Sequence, residues 1–246
     1  MNKRWIQSVA IEWDKISADS YLRDIPALQF GETLHFSRQV TFFVGENGSG
    51  KSTLLEGIAV AYGFSAEGGT RNYRFSTYDS HSELCDAIRL SRGGVSPSGS
   101  YFLRAESFYN VASQAEEYRD ITPKEVYYSR YGGKSLHEQS HGESFLALAQ
   151  ANFRPGGLYL LDEPESALSP QRQLTLLLLI HRLSQQGAQF LIASHSPLLL
   201  GMPEAEILTF DDGAVHPCEY TDTESYQVTE MFINNREYFL ERLLNE

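Results

Sequence analysis

The run Gly45-Glu46-Asn47-Gly48-Ser49-Gly50-Lys51-Ser52-Thr53 restricts what this chain can fold into more than any other feature, because it satisfies G-x-x-x-x-G-K-[ST] in full. Its setting agrees with the pattern. Val40-Thr41-Phe42-Phe43-Val44 reads as a buried strand immediately before it, and residues 53–62 read as a helix immediately after it. A strand, a glycine-rich loop and a helix in that order form a cradle for phosphate. Glycines let the backbone wrap closely around an anion. The free N–H groups of the first helical turn, and the helix dipole behind them, favour the same negative charge. In such a cradle Glu46, Asn47, Gly48, Ser49, Gly50 and Thr53 supply backbone, Lys51 neutralises the β- and γ-phosphates, and the Ser52 hydroxyl holds Mg2+.

The length of 246 residues suits one α/β domain, and 41% apolar residues give it ample material for a core. Two cysteines, Cys85 and Cys218, lie far apart and form no C-x-x-C pair, so neither a disulfide framework nor a zinc site is expected. The basic start, Lys3-Arg4, is followed by Glu12 and Asp14, which interrupt the apolar run of a secretory leader. The longest apolar run, residues 174–180, is too short to span a bilayer, so the expected location is the cytoplasm. The formal net charge of −12 argues against sequence-independent binding to nucleic acid, which rewards clustered Lys and Arg.

Along the chain, residues 4–11 and 27–36 read as early strands around a turn at Asp24-Ile25-Pro26. Residues 84–90 suit a strand or a short helix, and residues 101–105 a strand. A helical lobe is expected over about 107–150. Two wholly apolar runs, 158–161 and 189–193, have the pattern of central parallel strands, with a helix over 171–186 between them. Residues 207–210 followed by Asp211-Asp212-Gly213 suggest the first arm of a hairpin. Near the C-terminus, Val228, Met231, Phe232, Phe239 and Leu243 recur at helical spacing, which predicts an amphipathic helix (about 226–246) docked on the core. A helix that receives a partner has the same periodicity.

Three further elements carry chemistry. In Leu160-Leu161-Asp162-Glu163-Pro164-Glu165 the acids emerge at the C-terminal end of a buried strand, where open α/β sheets bind ligands. There Asp162 would hold Mg2+ and Glu163 would orient and deprotonate an attacking water. Ser194-His195-Ser196 follows the next strand, from which His195 can reach a γ-phosphate. Ser140-His141-Gly142-Glu143-Ser144 opens a helix, with Ser140 and Glu143 spaced as a capping box and the capped end available to an anion. The arginines Arg71, Arg74, Arg89, Arg92 and Arg104 are interleaved with Tyr73, Phe75 and Tyr78 but balanced by Asp79, Glu83 and Asp86; they suit a modest nucleic-acid or nucleotide contact surface or, as the favoured reading, a solvated sheet edge.

In this order the elements resemble the ABC-type P-loop ATPases, nearer the soluble SMC- and RecF-like (AAA_21-like) group than transporter subunits. The resemblance spans about residues 4–215 and implies an α/β fold: a mainly parallel central sheet flanked by helices, an N-terminal antiparallel β portion and a short helical lobe, in one domain over residues 1–246. It makes residues 45–53 Walker A, 140–144 the signature, 158–163 Walker B with its base, 166–169 the D-loop and His195 the switch histidine. It implies ATP and Mg2+ as cofactors and a head-to-tail dimer around two ATP molecules. Ser140 and Gly142 of one copy would touch the γ-phosphate held by the other's Lys51, and hydrolysis would reopen the pair. Several positions depart from the pattern. His141 replaces a signature glycine, Ser169 stands where transporter subunits carry Asp, and no glutamine lies near 105–107, where Glu106 would contact the metal instead. Tyr21 lies at a plausible distance upstream to stack on adenine. Only 34 residues separate Glu106 from Ser140, too few for a transporter's helical lobe or an SMC coiled coil. The expected function is an ATP-hydrolysing switch that drives a protein partner, in DNA repair or in defence against foreign DNA. The alternatives are the nucleotide-binding subunit of a transporter and an ATP sensor with little hydrolysis, the latter disfavoured by Glu163.

Overall fold

The computed structural model describes residues 4–31, 33–71, 83–105 and 140–244. Glu106, the part of the expected helical lobe over 107–139 and the aromatic residues Tyr73, Phe75 and Tyr78 lie outside them.

Strands β1 (Ile6–Ile11), β2 (Leu34–His35), β3 (Val40–Val44) and β4 (Ile88–Arg92) surround helices α1 (Lys51–Tyr62) and α2 (Leu84–Ala87) in the first part of the chain. Strand β5 (Ser100–Arg104) follows, then α3 (His141–Asn152), β6 (Leu158–Asp162), α4 (Pro170–Gln185), β7 (Gln189–Ala193), α5 (Pro197–Leu200), β8 (Glu206–Thr209) and β9 (His216–Pro217). Helices α6 (Glu224–Asn234) and α7 (Arg236–Leu244) complete the described residues. The central sheet has the order β5-β6-β7-β3-β8-β9, and β2-β1-β4 form a separate sheet. Pairing is parallel from β5 through β8 and antiparallel only at β9 and in the small sheet.

Every residue of β3, β6 and β7 is buried, as the apolar runs predict for strands covered on both faces. Alternation divides their side chains between two cores. Phe42, Tyr159, Leu161, Phe190 and Ile192 pack with α3, α4 and α5 on one face. Phe43, Leu158, Leu160 and Leu191 pack with α1 and the small sheet on the other. Gln189 sits fully buried within this apolar setting and ties the two sheets together. Its Oε1 accepts from the N–H of Trp5 (2.7 Å) and of Ile6 (2.9 Å), and its Nε2 donates to the Ile6 carbonyl at 2.7 Å. Gln189→Ala would leave those backbone groups without partners at a buried seam, so a loss of about 3 kcal/mol is expected. For a chain of this size that corresponds to a fall in Tm of roughly 6–12 °C, measurable by scanning calorimetry.

Two sequence expectations need correction. Residues 27–36 do not form one strand. Pro26–Leu28 is a 3-10 turn and only Leu34–His35 pair as a strand. Pro26, with its fixed φ and missing N–H, starts a helical turn readily but contributes nothing to a ladder. The C-terminal segment is not one helix docked on the core. It breaks at Asn235, whose ψ is 37°, and neither α6 nor α7 contains a buried residue. Val228 is 50%, Met231 43% and Leu243 60% exposed. The segment is held instead at its entry, where the Tyr220 hydroxyl donates to the Pro197 carbonyl at 3.0 Å and the Tyr220 ring lies 4.6 Å from Tyr226.

Candidate functional site

Five parallel strands end at one edge of the sheet, and their register brings distant residues level. Phe43 of β3 pairs with Ala193 of β7, Asp162 of β6 also pairs with Ala193, Arg104 of β5 pairs with Asp162, and Val44 pairs with Thr209 of β8. The residues that follow each strand are therefore neighbours: the glycine-rich loop after β3, Glu163 after β6, His195 after β7 and Asp211 after β8.

Gly50 ends the loop with φ +102°, a backbone that L side chains rarely adopt, and a Cβ there would meet Ile25 Cγ2 at 2.7 Å. Helix α1 begins at the next residue, so the unpaired N–H groups of its first turn face the loop's concavity. Lys51 is buried, and its Nζ donates to the carbonyls of Gly45 and Glu46, both at 2.7 Å. Burial pushes its pKa down, while the carboxylates of Glu163, Asp211, Asp162 and Glu165 act in the opposite direction. The Ser52 hydroxyl donates to Asp162 Oδ1 at 2.7 Å across 110 residues of sequence. A hydroxyl and a carboxylate oxygen that close, beside a lysine and a helix N-terminus, are a donor set suited to a hard cation bound together with phosphate.

Glu163 adopts φ +49°, ψ +51°, an uncommon conformation for a residue with a side chain. Its N–H donates to the Ala193 carbonyl (2.9 Å), and its own carbonyl accepts from the N–H (3.1 Å) and hydroxyl (2.9 Å) of Ser166. These bonds over-determine a strained backbone at a sheet edge, where such strain is characteristic of functional sites. Two residues on, Glu165 turns inward and its carboxylate accepts the backbone N–H of His195. Burial raises the Glu165 pKa, and the His195 N–H acts against that rise. The His195 pKa is lowered, first by burial and then by the Lys51 charge, which favours the neutral ring. Among the described residues its buried Nε2 has no hydrogen-bond partner.

A cleft of about 490 Å³ opens beside the loop, lined by Pro26, Ala27, residues 46–49, residues 210–213 and Glu224. A second, of about 240 Å³, lies between His195 and residues 222–225. Tyr21 is exposed and lines neither cleft.

Two AAA family models match the chain. One, described as "AAA domain", matches residues 25–134. The other, described as "AAA domain, putative AbiEii toxin, Type IV TA system", matches residues 132–201. No curated protein matches the chain in sequence. Among solved structures, CbiO1 from Clostridium perfringens, part of the ABC transporter complex CbiONQ, is 15% identical with a TM-score of 0.50, covering 99% of this chain and 100% of that one. The SMC head domain from Thermotoga maritima is 18% identical with a TM-score of 0.47, covering 88% of this chain and 100% of that one.

The chain has the fold of an ABC-type P-loop ATPase.

The segment at Ser140 has its own set of contacts. Glu143 accepts from the Ser140 N–H (3.0 Å) and hydroxyl (2.7 Å), the capping arrangement expected from the sequence. Arg172 of α4 donates to Ser140 Oγ (3.2 Å) and to Glu143 (2.9 Å). Ser140 is exposed, whereas Gly142 is buried, and a Cβ on Gly142 would lie 2.8 Å from the Ala167 carbonyl oxygen. Glycine at 142 thus permits α3 to pack against residues 164–167. The structure brings together Lys51, Ser52, Asp162, Glu163 and His195, and leaves Ser140 facing solvent. Sequence reading gave no site role to Glu165, Arg104 or Asp211. Asp211 Oδ1 accepts the Glu46 N–H at 2.8 Å, and the hairpin turn that contains it was the only signal available. Among the described residues no helix is long and apolar enough to cross a membrane.

Proposed function

We propose that this ATPase binds Mg-ATP at the loop of residues 45–53 and hydrolyses it in a head-to-tail dimer, using closure and reopening to drive a protein partner in the cytoplasm. The observation that carries this reading is the convergence of Lys51, Ser52, Asp162, Glu163 and His195 at one sheet edge, with Ser52 and Asp162 joined at 2.7 Å. Lys51 would bind the β- and γ-phosphates, and Ser52 and Asp162 would hold Mg2+. Bound Mg2+ supplies neutralisation of phosphate charge. Glu163 would take a proton from the attacking water, and neutral His195 would orient the transferred phosphate through its free ring nitrogen.

Exposed Ser140, at a capped helix N-terminus, supports a composite site completed by a second copy. The family model that matches residues 132–201 names an AbiEii toxin and a type IV toxin–antitoxin system; the process we propose for the switch is DNA repair or defence against foreign DNA. Light scattering on a sizing column tests the dimer. The wild-type chain is expected to double its mass in Mg-ATP. Ser140→Arg, which places a bulky cation at the proposed contact, is expected to bind ATP but remain a monomer and lose turnover. Wild-type mass change and turnover in that variant would refute the composite site.

A further inference from the structure

Arg104 ends β5 directly beside the proposed metal-binding carboxylate. The register that pairs Arg104 with Asp162 projects its guanidinium toward α1. There Nη1 donates to Glu56 Oε2 at 2.8 Å and to the Ala66 carbonyl at 3.3 Å, while Nε lies 3.6 Å from Asp162 Oδ2. The other Asp162 oxygen accepts the Ser52 hydroxyl at 2.7 Å. Ser52 and Glu56 stand one turn apart on the same face of α1. Asp162 is therefore bracketed, with a hydroxyl at one oxygen and a fixed positive charge near the other. Its side chain is 9% exposed and that of Arg104 21%, so water screens the pair only partly.

A cation in this position has two electrostatic effects. Without a divalent ion it offsets the negative potential that Asp162 presents to an incoming triphosphate. With one, it competes for the same carboxylate. We propose that Arg104 is a positioning residue that neutralises Asp162 in the metal-free site and so sets how strongly nucleotide binding depends on Mg2+. The inference rests on the nucleotide reading above. Arginine suits the task better than lysine because its charge is permanent and its planar fork can engage Glu56 and face Asp162 together.

The test is calorimetric titration of ATP into the full chain, once with Mg2+ and once with EDTA. Arg104→Met is expected to weaken binding in EDTA and to spare or strengthen it in Mg2+, raising the ratio of the two affinities about tenfold over wild type. Arg104→Lys, which keeps the charge, should stay within about threefold of the wild-type ratio, and Glu56→Gln, which releases the guanidinium toward Asp162, should lower it about threefold. A strut that merely ties β5 to α1 would weaken both affinities together and leave the ratio unchanged, and that result overturns the proposal. Glu56→Gln reads the same ratio should Arg104→Met not fold, and a ratio that fails to fall there also overturns it. If the wild-type chain binds ATP under neither condition, the nucleotide reading fails and this inference with it.

Discussion

Replacing Lys51 by alanine is expected to lower ATP affinity about 100-fold, since it removes the buried cation proposed to form charge-assisted bonds to phosphate. The loss goes beyond one contact. Glu163, Asp211, Asp162 and Glu165 all act electrostatically on Lys51, and in the variant the triphosphate meets their charge without the Lys51 cation. The fold should survive, because among the described residues the Lys51 ammonium bonds only to the Gly45 and Glu46 carbonyls and Ser49 of its own loop, and alanine is a strong helix former at the start of α1. Calorimetric titration measures the affinity, and an unchanged thermal transition shows that the chain is intact. Normal affinity in a folded variant would remove the loop of residues 45–53 from the site.

Glu163→Gln is expected to reduce phosphate release about 1,000-fold while ATP stays bound, the range associated with removing a general base. The substitution keeps shape and hydrogen-bonding capacity and removes only the basic oxygen. The unusual backbone at Glu163 is set by main-chain bonds to Ala193 and Ser166, which glutamine retains. Single-turnover release of phosphate is the measurement. Unchanged release would move the base to another carboxylate. Glu165 is poorly placed for that role, since its Oε1 already accepts the His195 N–H and its side chain turns inward.

Much of the architecture was legible in local pattern. Apolar runs too short for helices marked β6 and β7, because a strand covered on both faces must be apolar at every position. The loop of residues 45–53 announced itself because close wrapping around an anion needs glycines at set spacings. The capping box at Ser140 and Glu143 was readable for the same reason, since both partners lie within one turn. The C-terminal segment was not legible. Its periodicity describes an apolar stripe, but the stripe's location depends on whether another surface meets it, and α6 and α7 leave theirs exposed.

What the sequence by itself determined was therefore the set of elements and the residue types at their ends: a strand, a glycine-rich loop and a helix, then acids and a histidine closing later strands. Only the tertiary structure decided which of those ends meet. The order β5-β6-β7-β3-β8 and its register place Arg104 against Asp162, Glu165 under His195 and Asp211 over Glu46. They also bring Gln189 to the backbone of Trp5 and Ile6, 184 and 183 residues away. Local elements follow from backbone sterics and side-chain burial within a few residues, whereas strand order and register follow from packing between residues that are neighbours only after the chain has folded.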